Sequence, residues 1–202
     1  MARLGRSFYS RYTPDVARDL VGATLVRRVE GKVLAGRVVE VEAYRGADDP
    51  ASHAYRGLTK RTWVMFGEAG HAYVYFTMGM HYCLNITTEE EGEPGAVLIR
   101  AIEPIEGIEE MLLRRGVQDV TRVARGPGNL TRALGIDLRL NGEDLVTSRE
   151  LYLLRGRREE EIGVSTRIGV SSGREMMWRL YVEASPFVSG NRSHRGTSAS
   201  TG

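Results

Sequence analysis

Glu42, Tyr44, His53, Tyr75, Asn85 and Arg100 are threaded through the apolar first half of a 202-residue chain. A carboxylate, three ring systems, an amide and a guanidinium can together hold a planar base and activate a water beside it. That is the equipment for cutting a base from its sugar. The carboxylate would deprotonate the water, and each aromatic face would stack on a base for about 1–3 kcal/mol. Val38, Glu40 and Glu42 alternate along an apolar stretch and are therefore expected on one strand face. By residue type Glu40 is as good a candidate base as Glu42, and either could be a solvated acid on an exposed face. Tyr73 or Tyr75 could be ordinary strand packing, and His53 a surface residue of a polar loop.

Other chemistries fit less well. His71, His81 and Cys83 lie near one another, but there is no second cysteine and no zinc-deaminase pattern, so neither a metal nor an organic cofactor is expected. Lys32 and Lys60 are the only lysines, and both sit away from the constellation in sequence; the N-terminal amine stays open, and water is the expected nucleophile. The glycine-rich run from Gly126 to Gly135 could present a helix N-terminus to a phosphate, or be a plain loop–helix junction. Charge runs at 89–93 and 157–161 are expected to be solvated.

The elements that must position these residues read as a mixture of hairpins and short helices. Thr13 as N-cap, Pro14, Asp15 and a closing Gly22 signal a helix. Residues 23–29 and 33–43 form a first hairpin around Gly31-Lys32, and 71–78 with 80–87 form a second. A buried strand follows at 96–102, then an amphipathic helix through Ile105, Ile108, Met111 and Leu112, then a short helix closed by Gly135. Further strands are expected at 151–154, 166–170 and 180–183. The fold class is α+β: a single domain over 1–189 with a curved, mainly antiparallel sheet and flanking helices, and a disordered tail over 190–202. A lone cysteine excludes an intrachain disulfide and suits a reducing cytosol. The first residues lack the pattern of a secretory signal, and no stretch has the ~20 apolar residues of a membrane span. A cytoplasmic protein, nucleoid-associated in a prokaryote, is expected. Nearly all the basic charge is arginine, which suits phosphate contacts but also heat tolerance.

In order and spacing, several stretches resemble the alkyladenine (3-methyladenine) DNA glycosylase family of the mammalian type. They are Gly36-Arg37-Val38-Val39-Glu40-Val41-Glu42-Ala43-Tyr44, Tyr73-Val74-Tyr75 with Gly79-Met80, Cys83-Leu84-Asn85-Ile86, Val97-Leu98-Ile99-Arg100-Ala101-Ile102-Glu103-Pro104, and Gly126-Pro127 with Leu130 and Ala133-Leu134. The resemblance covers nearly the whole chain apart from the tail. It implies a monofunctional glycosylase of base excision repair, acting as a monomer on double-stranded DNA that contains damaged purines. Glu42 would be the general base and Arg100 would help to hold the water. Tyr44, His53 and Tyr75 would wall the pocket of the flipped base, with Val170 beside it, and Asn85 would clash with the amino group of guanine. Met78 stands where mammalian members place an intercalating Tyr, and Asn129 where relatives often carry Lys. The rival reading is a catalytically silent damaged-DNA-binding protein on the same fold.

Overall fold

The computed structural model describes residues 1–77, 79–157 and 161–190. Among these are four helices, α1 (Arg6–Tyr9), α2 (Thr13–Leu20), α3 (Ile108–Arg115) and α4 (Pro127–Leu134). The strands are β1 (Thr24–Val29), β2 (Lys32–Tyr44), β3 (Ala72–Thr77), β4 (His81–Thr88), β5 (Gly95–Glu106), β6 (Leu151–Leu154), β7 (Ile162–Ser165) and β8 (Arg179–Val182). Every pairing is antiparallel, in the order β3-β4-β5-β2-β1-β6. β2 is long enough to be shared along one edge. Its first half pairs β1, and Glu40, Val41 and Glu42 pair β8, which carries β7 outward. The result is the expected α+β fold on a curled antiparallel sheet.

Local chemistry explains most element boundaries. The β1–β2 turn places Glu30 and Gly31 at φ 52° and 74°, the left-handed pair that a tight hairpin requires. Gly126 opens α4 ahead of Pro127, and Gly135 closes it in the left-handed conformation. Four expectations are corrected. Thr13 is the first residue of α2 rather than its cap, which is Tyr12. The Thr13 N–H and hydroxyl donate to Glu89 Oε1 at 2.8 and 2.7 Å, so Glu89 serves the helix start instead of standing in solvent. Ile105 belongs to β5, because Gly107 at φ 72° separates strand from helix. No strand forms over 166–170: the ladder ends at Ser165, and the Ile168 N–H is committed to the Glu42 carboxylate.

The main core packs Val16, Ala17 and Leu20 of α2, Met111 of α3 and Leu130, Ala133 and Leu134 of α4 against Leu25, Val38, Val41, Ala43, Ile86 and Ile99 of the sheet. Each buried Leu or Ile contributes about 1.5–3 kcal/mol. Two smaller clusters lie apart from it, one around Val64, Met65 and Tyr73 and one around Val39, Ala101 and Tyr181.

The β2–β5 ladder is irregular where chemistry was anticipated. Val38 pairs Ile102, Glu40 pairs Ala101, and Val41 pairs Ile99, leaving Val39 and Arg100 as extra residues on their strands. Such bulges re-aim side chains. The one at Val39 shifts the alternation, so Val38, Val41 and Ala43 enter the main core while Glu40 and Glu42 turn together towards Arg100. Val38 therefore does not share their face, contrary to the simple period of two. Met78, residues 158–160 of the second charge run and residues 191–202 of the tail lie outside the described residues.

Candidate active site

Glu42 is fully buried, and its carboxylate is held from three sides. The Ile168 N–H donates to Oε1 at 2.7 Å; the Tyr44 hydroxyl at 2.7 Å and Arg100 Nη1 at 3.3 Å donate to Oε2. Burial, then the charge and hydrogen bond of Glu42, push the Tyr44 hydroxyl well above the usual phenol range, so it stays protonated and keeps donating. Burial opposes the charge on Arg100, but Glu42 and Glu40 more than offset it and hold the guanidinium above its ordinary value.

Arg100 is oriented from behind. Its Nε donates to Glu40 Oε1 at 3.0 Å and its Nη2 to Ser189 Oγ at 3.2 Å. Glu40 also accepts from Arg179 Nε at 2.7 Å, from the Ser189 N–H at 2.6 Å and from Ser189 Oγ at 3.0 Å. Two carboxylates and two guanidiniums thus form a charge-balanced cluster. That balance is what makes their burial tolerable, since each isolated ion would cost several kcal/mol.

A cavity of about 390 Å³ opens in front of this cluster, lined by Tyr44, His53, Tyr75, Asn85, Arg100 and Val170 together with Met65, Tyr73, Cys83 and the 168–171 segment. Its size is that of a small-molecule site. Glu42 does not line it; it sits directly behind Tyr44 and Arg100, which do. Ser52 caps the turn that presents His53, accepting the Ala54 N–H at 3.1 Å. The His53 ring meets Tyr75 edge-on at 4.6 Å between centroids, and Tyr75 tilts against Tyr73 at 5.4 Å. Burial, then Arg61, lower the His53 pKa to about 4, so the ring is neutral near pH 7. Arg61 Nη2 lies 3.3 Å from His53 Nε2, and a guanidinium has only donors. Nε2 therefore carries the lone pair, and Nδ1–H donates to Tyr73 Oη at 3.0 Å. Arg61 also covers the Tyr75 ring at 4.8 Å. Asn85 is fixed by donating to the Tyr73 carbonyl at 3.1 Å.

All the candidate residues among those described converge on this one place. The sequence reading missed Ser189, Arg179 and Arg61, and it missed the roles of Glu40 and of the 166–170 segment. It also missed the pair Arg167–Asp49, fully buried and bonded at 2.6 and 2.8 Å. An arginine and an aspartate separated by this much sequence leave no local signature.

A second groove adjoins the cavity, with His81 and Pro127 lining both. It is rimmed by Arg114, Arg115, Arg132 and Arg139. Burial, then Arg132 and Arg122, lower the Arg115 pKa, while Arg114 and Arg139 pair with Glu30 and Asp137 in the same groove.

The family model described as methylpurine-DNA glycosylase matches residues 7–186. A protein of Carboxydothermus hydrogenoformans, provisionally named a 3-methyladenine DNA glycosylase, is 49% identical over 92% of this chain and 98% of its own. Similarly named proteins of Chlorobaculum parvum and Methanocella arvoryzae are 47% and 49% identical, over 95% and 94% of this chain and 93% and 96% of theirs. With four-fifths or more of its length matched in both ways, the chain belongs to the methylpurine-DNA glycosylase family.

Proposed function

We propose that the protein is a monofunctional DNA glycosylase that draws a damaged purine out of duplex DNA into this cavity and hydrolyses its N-glycosidic bond with a water activated by Glu42. The observation that carries the reading is the buried Glu42 carboxylate, bonded through one oxygen to two cavity-lining residues, Tyr44 and Arg100. A silent binder has no need of such a group behind its stacking walls.

The steps follow from the residues. Tyr44, Tyr75 and His53 supply ring faces and edges for the extruded base, and an electron-poor alkylated purine gains most from them. A damaged base also leaves the stack at lower cost than a normal one, which supplies part of the selectivity. Water adds its oxygen to the sugar C1′, its proton passes to Glu42, and the glycosidic electron pair leaves with the base. The products are free base and an abasic site. Neither lysine lines the cavity, and Lys32 is paired with Glu110, so neither is placed to form an imine and cut the strand. Asn85, held against Tyr73, stands where the amino group of guanine would meet it. Met78, in the connection between β3 and β4, is the wedge that fills the gap left in the duplex. The arginine-rimmed groove beside the cavity takes the phosphates.

The test is single-turnover excision on duplexes carrying one hypoxanthine, one etheno-adenine, one methylated purine or no lesion, with hot alkali revealing abasic sites. Alkali-dependent cleavage at a lesion is the expected result. Tight lesion binding with no excision of any of these bases would replace it with the silent-binder reading.

A further inference from the structure

Arg167 takes no part in the chemistry above, yet both of its terminal nitrogens are bonded to residues around the site, while its buried Nε has no partner among the described residues. Its side chain is fully buried. Nη1 donates to Asp49 Oδ2 at 2.6 Å and to the Ala43 carbonyl at 3.0 Å; Nη2 donates to Asp49 Oδ1 at 2.8 Å and to the Gly173 carbonyl at 3.2 Å. Its guanidinium plane lies over the Tyr44 ring at 4.7 Å and over Trp178 at 5.3 Å. One group therefore touches three separate parts of the pocket. Ala43 and Tyr44 end β2, Asp49 begins the turn that delivers His53, and Gly173 closes the 166–173 segment. That last segment carries Ile168, whose N–H holds Glu42, and Val170, which lines the cavity.

We propose that Arg167, paired with Asp49, is a positioning residue for base excision, clamping the Tyr44 wall, the His53 turn and the Ile168 N–H into one rigid frame. The inference rests on the glycosylase reading and adds to it a residue that never meets the substrate. Irregular backbone over 166–170 has no ladder to hold it, so its geometry depends on this side chain. A lysine keeps the charge but loses the planar fork and the stack on Tyr44. Misplacing a reacting group by about 1 Å can cost on the order of 100-fold in rate.

The experiment compares wild type, Arg167→Lys and Trp178→Leu by single-turnover excision of etheno-adenine, by the dissociation constant for the same duplex, and by thermal melting, with all rates taken well below each melting midpoint. Arg167→Lys is expected to lose about 10- to 100-fold in saturating rate and to bind the lesion more weakly, while its affinity for undamaged duplex stays at the wild-type value. Trp178→Leu, which removes one stacking partner and spares the ion pair, is expected to lose a smaller factor in the same direction. Wild-type rates and lesion affinity in a folded Arg167→Lys overturn the proposal even if its melting midpoint drops, because a purely structural residue moves only the latter. If Arg167→Lys does not fold, an unchanged rate in Trp178→Leu overturns it instead. Absence of excision by the wild type of etheno-adenine and of every other lesion named above overturns the glycosylase reading itself, and with it this inference.

Discussion

Glu40 and Glu42 sit two residues apart on β2, are both wholly buried and both reach Arg100, yet their surroundings differ in kind. Glu40 accepts four hydrogen bonds, from two arginines and from both the N–H and the hydroxyl of Ser189. Of the residues that supply those donors, only Arg100 lines the cavity. Glu42 accepts three, from one arginine, one phenol and one backbone amide, and all three donors belong to residues that line the cavity. A carboxylate saturated by opposite charge is a structural anchor. One held by three donors from residues around a space for substrate has the surroundings that the proposed base requires. The difference lies in the partners, since the side chain is the same.

Exchanging each acid for its amide separates the two roles. Glu42→Gln is expected to lower single-turnover excision by about 10²- to 10⁴-fold, the usual worth of a general base, while binding of lesion duplex survives. One donor-to-donor conflict, with the Ile168 N–H or with the Tyr44 O–H and Arg100 N–H, will also cost about 1–3 kcal/mol of stability. Full activity in this variant would remove Glu42 from the mechanism. Glu40→Gln should show the opposite balance. It leaves two buried guanidiniums facing one carboxylate, at a cost of about 3–5 kcal/mol in denaturant unfolding. Its excision rate, measured below its own melting transition, should fall far less than that of Glu42→Gln. If the two variants lost equal activity at equal stability, the division into anchor and base would be wrong.

The smallest effect belongs to the cavity wall, and it keeps the buried cluster from being credited with all of the pH response. His53 packs against Tyr73, Tyr75 and Arg61, and its pKa falls from 6.5 unfolded to about 4 in the fold. The folded state therefore resists a proton that the unfolded chain accepts. The stability contributed by neutral His53 is fully present above pH 6.5 and is lost as the pH falls towards 4. Thermal midpoints of the wild type and His53→Gln, compared across that window, should converge as the pH drops. Parallel curves would show that His53 does not titrate in this way.

The sheet, its hairpins and α4 were legible in the sequence because period, turn glycines and caps are local signals. The candidate residues were legible as a set through several motifs in order. Residue type and spacing could not separate Glu40 from Glu42, which only the resemblance did, and they could not show how differently the two are held. Alternation put Val38, Glu40 and Glu42 on one face, and only the pairing with β5 reveals the bulges at Val39 and Arg100 that break the period. Bulges are settled between strands and leave little trace in either one alone. The same holds for residues 166–170, where apolar, β-branched residues suggested a strand. There Arg167 finds Asp49, 118 positions away, and the Ile168 N–H finds Glu42, so the backbone serves the site instead of a ladder. Arg61 and Ser189 carried no sequence signal that would distinguish them from surface residues.

The bond from the Ser189 N–H to Glu40 spans 149 positions, and this has a consequence for how the protein is made. Synthesis proceeds from the N-terminus at roughly 5–20 residues per second, so β2 and β5 have left the ribosome well before residue 189 does. During that interval Glu40 and Arg100 can approach each other, but the donors that complete their shell do not yet exist in the accessible chain. Contacts of such long range also slow folding, because the chain must close a large loop before they form. Ser189 therefore acts as a latch in time as well as in space: the cluster of Glu40 and Arg100 reaches its final geometry only after residue 189 has been made and has come back to them.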